Sequence, residues 1–334
     1  MPVTHHDTLN SVRSEKNGRP TLGLALGGGA ARGWAHIGVL EVLTENGIVP
    51  DVIAGTSIGA VSGGAFSAGK LAELKTFALS LTSRRVFSLV DLTPLSNGLI
   101  AGKKLEARLA AHMAGLRLEE LPIRTVFIAA ELATGHEIWL RRGDLIRLMQ
   151  ASYALPGVFH PIQINGRALV DGALVNPVPV SVCRAYGARL VIAVDLSPEN
   201  RPHGGVVPDL PDFEGDSAMQ DTQTNAEETT FGWKDVTGFA NPFRKILRSQ
   251  FGAVDDDGPR GIPAVMMQSF TIIQDRLTRM RLAGDPPDTT IAPHVGGIGM
   301  FDFHKAEEAI AAGRAAATRA LDDIAALTER LSTK

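Results

Sequence analysis

The chain has 334 residues, a formal net charge of −3 and a single cysteine, Cys183. That length builds one large or two small domains of roughly 100–200 residues each, and near-neutral charge gives no global field for nucleic acid or an anionic membrane. One cysteine excludes an intramolecular disulfide framework and any multi-cysteine metal site. The 35 glycines, about a tenth of the chain, exceed a typical ~7%, so their positions matter more than their number.

Residues 1–20 are polar, lack the apolar stretch of an export signal, and read as a poorly ordered tail. With no run of about 18 apolar residues anywhere, the expectation is a cytoplasmic chain, peripheral at most to the inner membrane face. Leu22–Leu26 is a continuous apolar run of the kind a buried parallel strand shows, and it ends abruptly in Gly27-Gly28-Gly29-Ala30-Ala31-Arg32-Gly33. Trp34–Glu45 then places Ile37, Leu40 and Leu43 on one helical face and stops at Asn46-Gly47, with His36 read as a structural histidine. Asp51–Ala54 is a second buried strand, followed by Gly55-Thr56-Ser57-Ile58-Gly59 and a small-residue helix over Ala60–Ala68. Alternation of strand, glycine turn and helix predicts an α/β fold: a three-layer α/β/α sandwich around a mainly parallel sheet.

Arg124–Glu131 and His136–Leu140 read as strands joined near Thr134-Gly135, and Asp144–Ser152 as a short helix. Ala168–Asp171 and Leu190–Asp195 are apolar runs ending in aspartate, and Val180–Tyr186 between them is a helix in which Cys183 serves packing. Residues 198–235 collect Pro, Gly, Asp, Thr and Asn, with seven acids and one lysine between Asp212 and Asp235. The following stretch, 236–254, has three basic residues and no acid. Four segments result: a tail at 1–20, a core at 21–197, an insertion or lid at 198–261, and a helical part at 262–334 that includes a terminal helix over Lys305–Leu331.

Gly55-Thr56-Ser57-Ile58-Gly59 fits G-x-S-x-G between a strand and a helix, the setting of a nucleophile elbow. A serine there sits on a strained turn, and Gly55 and Gly59 let neighbouring backbone pass. An ordinary glycine–serine turn is the alternative. The Gly27–Gly33 loop has two readings as well. It could cradle a phosphate at a helix start, but the Lys-Ser/Thr of a P-loop is missing and Ala30 interrupts a clean G-x-G-x-x-G. It could instead offer backbone amides to a developing oxyanion, and this use joins both glycine turns in one crevice. A serine needs a base, for which Asp171, at a strand end before Gly172, is a candidate. His203, His294 and His304 could complete a triad, and Asp195 before Ser197-Pro198 reads as a turn residue.

Gly28-Gly29-Ala30-Ala31-Arg32-Gly33, Gly55-Thr56-Ser57-Ile58-Gly59 and Asp171-Gly172-Ala173, in that order, resemble the patatin-like phospholipases. Segments Ala35–Leu40, Ser152–Phe159 and Val170–Val180 add to the likeness, which covers residues 22–196 closely, 262–312 more loosely, and 198–260 not at all. The resemblance implies a Ser57–Asp171 dyad, an oxyanion hole from the amides of Gly28, Gly29 and Ala30, and Arg32 as support for the loop. Ala30 stands where the family pattern has its third glycine. The implied activity is hydrolysis of a lipid carboxylic ester, with a phospholipid or lysophospholipid as substrate. A neutral-lipid lipase, a thioesterase or a silent regulatory protein on the same fold are the alternatives. No cofactor, metal or nucleic acid is expected.

Asn241-Pro242 is a good helix start, and Phe239, Phe243, Ile246, Leu247 and Phe251 then share one face, with Arg244, Lys245 and Arg248 off it. Such a helix can rest in a membrane interface through Phe239, Phe243 and Phe251. A lid packed on the core, or a homodimer contact, uses the same face.

Overall fold

The computed structural model describes residues 20–82, 107, 111–197 and 262–332. The chain divides into two units, Met1–Glu199 with Met267–Lys334, and Asn200–Met266. The amphipathic stretch with Phe239, Phe243 and Phe251 lies outside the described residues, as does His203.

The strands are β1 (Leu22–Leu26), β2 (Val52–Thr56), β3 (Arg124–Glu131), β4 (Glu137–Leu140), β5 (Ile162–Ile164), β6 (Arg167–Asp171), β7 (Leu190–Val194) and β8 (Thr289–Ile291). They form one sheet in the order β5-β6-β3-β2-β1-β7-β8, with β4 also paired to β3. From β3 through β2, β1 and β7 to β8 every pairing is parallel, while β4 and β6 run antiparallel to β3 and β5 antiparallel to β6. The helices are α1 (Ala35–Glu45), α2 (Ile58–Ser67), α3 (Leu71–Leu79), α4 (Leu145–Tyr153), α5 (Val180–Ala185), α6 (Ile262–Gly284) and α7 (Ala306–Ser332).

Strands buried on both faces explain the continuous apolar runs. Along β1, β3 and β7 the side chains alternate between two cores. Leu22, Leu24, Leu26, Phe127, Leu190, Ile192 and Val194 enter one core with α1, α2, α4 and α7. Ala25, Val126, Ile128, Val191 and Ala193 enter the other with Val180, Val182 and Cys183 of α5. The smaller side chains let α5 approach closely: a Cβ on Gly23 would lie 2.7 Å from the Cβ atoms of Cys183 and Ala188. Each large side chain withdrawn from water contributes roughly 1.5–3 kcal/mol, so a helix layer on each face is what makes the central strands stable. Burial also pushes the Cys183 thiol up to about 12, in keeping with packing rather than reactivity. On the opposite face α7 lies along α1, where a Cβ on Gly313 would strike the Ala35 carbonyl oxygen.

β2 extends two residues beyond the expected strand, to Thr56, and α2 begins at Ile58, so the elbow is a single residue. α3, β5 and β8 are elements that apolar periodicity does not announce. Among the described residues no helix is long and apolar enough to cross a membrane, and no group of three His, Cys, Asp or Glu could hold a metal ion.

Candidate active site

Ser57 is the residue between β2 and α2, and its φ of 57° lies in the left-handed region. A non-glycine residue held there costs on the order of 1–3 kcal/mol, so the turn needs anchors. The Ser57 amide donates to Ser152 Oγ at 3.0 Å, and Ser152 Oγ donates in turn to the Ile128 carbonyl at 2.6 Å. Thr56 Oγ1 donates to the Asn176 carbonyl at 2.8 Å. The flanking glycines are steric necessities. A Cβ on Gly59 would collide with the Leu26 carbonyl oxygen, and one on Gly55 would press on the Gly59 backbone. Gly33 plays the same part in the other glycine turn, where a Cβ would run into the Ile58 side chain. The two turns are therefore interlocked.

Strand register brings the carboxylate in. Thr56 pairs with Ile128 of β3, and Asp171, the last residue of β6, pairs with Ala129, the next residue of β3. Two strands far apart in sequence thus end beside consecutive residues of one strand. A Cβ on Gly172 would collide with the Ile128 carbonyl oxygen, so glycine is required after Asp171 for this approach. Ser57 Oγ donates to Asp171 Oδ2 at 2.7 Å, and Asp171 Oδ1 accepts the Ala173 amide at 2.8 Å. Ser57 is 8% exposed and Asp171 3%. Burial pushes the Asp171 carboxyl up to about 6, against the opposing pull of the Ala173 amide and the Ser57 hydroxyl. A carboxylate made more basic, one hydrogen bond from a hydroxyl, is equipped to take its proton.

The glycine-rich loop lies against this pair. A Cβ placed on Gly28 would sit 3.5 Å from Ser57 Cβ, 3.4 Å from Ala173 Cβ and 3.1 Å from Nε2 of Gln274 on α6. The resemblance implies three oxyanion amides, those of Gly28, Gly29 and Ala30. The Gly28 amide is committed to the Pro177 carbonyl at 2.9 Å, because the loop is pinned to the segment after β6, and Gly27 donates to Val194 at 3.1 Å. Among the described residues the Gly29 and Ala30 amides have no acceptor. Ala30 adopts φ 50°, so alanine occupies the left-handed backbone that glycine takes more cheaply. Beyond it the loop is held by the Ala31 amide on Met300 O at 3.0 Å and by Arg32 Nε on Ile298 O at 2.9 Å, which makes Arg32 a buried anchor.

Of the histidines weighed for a triad, His294 and His304 are exposed, and neither Asp171 oxygen is given to them. Asp195 forms a turn, accepting the Ser197 amide at 2.9 Å and hydroxyl at 2.7 Å. Sequence reasoning missed Ser152, Pro177 and Gln274. Ser152 and Pro177 lie in the Ser152–Phe159 and Val170–Val180 stretches, which enter only through the family likeness, and nothing local marks Gln274.

Residues 24–184 match the family described as Patatin-like phospholipase. An uncharacterized NTE family protein of Mycobacterium tuberculosis is 32% identical over 339 residues, spanning 93% of this chain and 94% of its own. Patatin-like phospholipase domain-containing protein 7 of Rattus norvegicus is 32% identical over 202 residues, 58% of this chain and 15% of that protein. The crystal structure of VipD from Legionella pneumophila superposes with a TM-score of 0.45 at 12% identity, covering 91% of this chain and 67% of that one.

Proposed function

Because the chain belongs to the patatin-like phospholipase family, a family of lipid hydrolases, we propose that it cleaves the acyl ester of a phospholipid or lysophospholipid through a Ser57–Asp171 dyad. The 2.7 Å hydrogen bond from Ser57 Oγ to the buried Asp171 carboxylate carries this reading. Asp171 takes the hydroxyl proton as Ser57 Oγ attacks the ester carbonyl carbon. Negative charge gathers on the carbonyl oxygen, and the open Gly29 and Ala30 amides, with the Ile58 amide at the start of α2, receive it. The tetrahedral intermediate collapses, the C–O bond to the leaving alcohol breaks, and Asp171 returns the proton to that oxygen. Water then gives its proton to Asp171 and attacks acyl-Ser57, and the carboxylic acid departs as the serine is restored. A positioned general base supplies about 10²–10⁴ in rate and one oxyanion donor about 10²–10³.

The test combines labelling by a fluorophosphonate with hydrolysis of phospholipid, lysophospholipid, triglyceride and thioester panels. Wild type labels and turns over a phospholipid or lysophospholipid, Ser57→Ala does neither at a measurable rate, and Asp171→Asn does both about 10²–10⁴ times more slowly. Turnover confined to triglyceride or thioester would move the substrate class. Full activity in Asp171→Asn, or its loss in a folded His294→Ala, would sink the dyad.

A further inference from the structure

We propose that His36 is a positioning residue for the oxyanion loop: its Nε2–H, 2.7 Å from the Gly27 carbonyl oxygen, fixes the peptide that leads into the open Gly29 and Ala30 amides. The proposal rests on the hydrolase reading of the same site. His36 lies in the first turn of α1, is fully buried, and among the described residues its Nδ1 has no hydrogen-bond partner. A carbonyl oxygen can only accept, so Nε2 carries the proton and the ring is the neutral Nε2–H tautomer. Burial agrees with this, holding the imidazole down to about 4.

The Gly27 carbonyl and the Gly28 amide belong to one planar peptide. His36 holds its oxygen, and Pro177 holds its N–H at 2.9 Å. A peptide gripped at both ends cannot rotate, which fixes where and in what orientation the chain enters the Gly29–Ala30 segment. On the far side the loop is gripped through Ala31 on Met300 and Arg32 on Ile298. The two open amides lie between these anchors. A flexible loop would have to order itself as charge develops, whereas one already fixed has no reorganisation to complete. His36 never touches the substrate on this view. Its effect passes through the orientation of the loop, and among the described residues the ring makes one hydrogen bond, to Gly27.

The test uses His36→Leu, His36→Gln and His36→Asn beside wild type, with thermal melts as the measure of folding. Leucine removes the donor, glutamine can place an amide N–H near the Nε2 position, and asparagine is too short to reach it. The expectation is a fall in kcat of about 10–100-fold for the leucine and asparagine variants, with KM little changed. Glutamine restores much of that loss. The rate of fluorophosphonate labelling should follow kcat, because the phosphoryl oxygen occupies the same pocket, whereas a purely structural role would lower the melting temperature and leave the folded protein's labelling rate intact. Should leucine fail to fold, the glutamine–asparagine comparison decides. In wild type, nitrogen-15 histidine spectra, assigned by the signal lost in His36→Gln, should report the Nε2–H tautomer. A folded leucine variant within about twofold of wild type, glutamine as impaired as leucine, or an Nδ1–H tautomer would each overturn the proposal. Failure of the hydrolase reading looks different, since wild type itself would then neither label nor turn over.

Discussion

Replacing Asp171 by asparagine keeps the shape of the side chain and removes its charge, so the variant separates what the carboxylate does for the reaction from what it does to the fold. Asp171 is buried, and its carboxyl is lifted from 3.8 to about 6. At about 1.4 kcal/mol per tenfold change, holding that group ionised costs the folded state about 3 kcal/mol at neutral pH, as an order of magnitude. The sign follows from which state ionises first. Below 3.8 the carboxyl is protonated in the folded and unfolded chain alike. As pH rises the unfolded chain loses its proton first and the folded one only through about 6, so stability falls across that window and stays lower above it. Asp171→Asn escapes this loss. It should be more stable than wild type by about 2–3 kcal/mol near pH 8, with the gain shrinking toward zero near pH 4.

Urea denaturation at several pH values measures this directly, and the difference between the two proteins cancels every group they share. His36 is one such group. Its pKa is lowered from 6.5 to about 4, so it weakens both proteins as pH falls through that range. In wild type the two opposing dependences offset each other over nearly the same window, and in Asp171→Asn the histidine's stands alone. The variant should therefore be tougher at neutral pH, more acid-sensitive, and slower by about 10²–10⁴. Equal stability of the two proteins near pH 8, or a gain of the same size near pH 4, would refute the reasoning, the second because a packing effect does not titrate.

Wild-type kcat/KM should rise with pH through about 6, the carboxyl's lifted value, because only ionised Asp171 can take the Ser57 proton; initial rates across pH test it, and a limb at the ordinary carboxylate value of about 4 would contradict it. Ser152→Ala strips a partner from both the Ser57 amide and the Ile128 carbonyl, and should cost about 2–4 kcal/mol in urea melts together with a lower kcat. Gly59→Ala drives a methyl into the Leu26 carbonyl oxygen, and with backbone on both sides of the clash it should lose more than about 3 kcal/mol or fail to accumulate as folded protein.

Runs such as Leu22–Leu26 and Arg124–Glu131 were readable as strands because both of their faces are buried, which leaves no polar alternation to confuse the signal. The glycines around Ser57 were readable too, since the steric demands of the turn are met within five residues. Short or half-exposed elements were not. β5 and β8 have three residues each, too few to show a period, and α3 buries only Leu74 and Ala78. The site exposes a deeper limit. Ser57 and Asp171 meet because β2 and β6 end beside Ile128 and Ala129, and no local pattern encodes that register. The same holds for the loop. Its glycines announce that amides are available, but which ones are engaged depends on Pro177 and Met300, both distant in the chain. The backbone groups already engaged, as much as the residue types in the motif, determine where charge can be received. Gly28 illustrates it: its N–H belongs to a peptide held by Pro177 on one side and His36 on the other, so it anchors the loop.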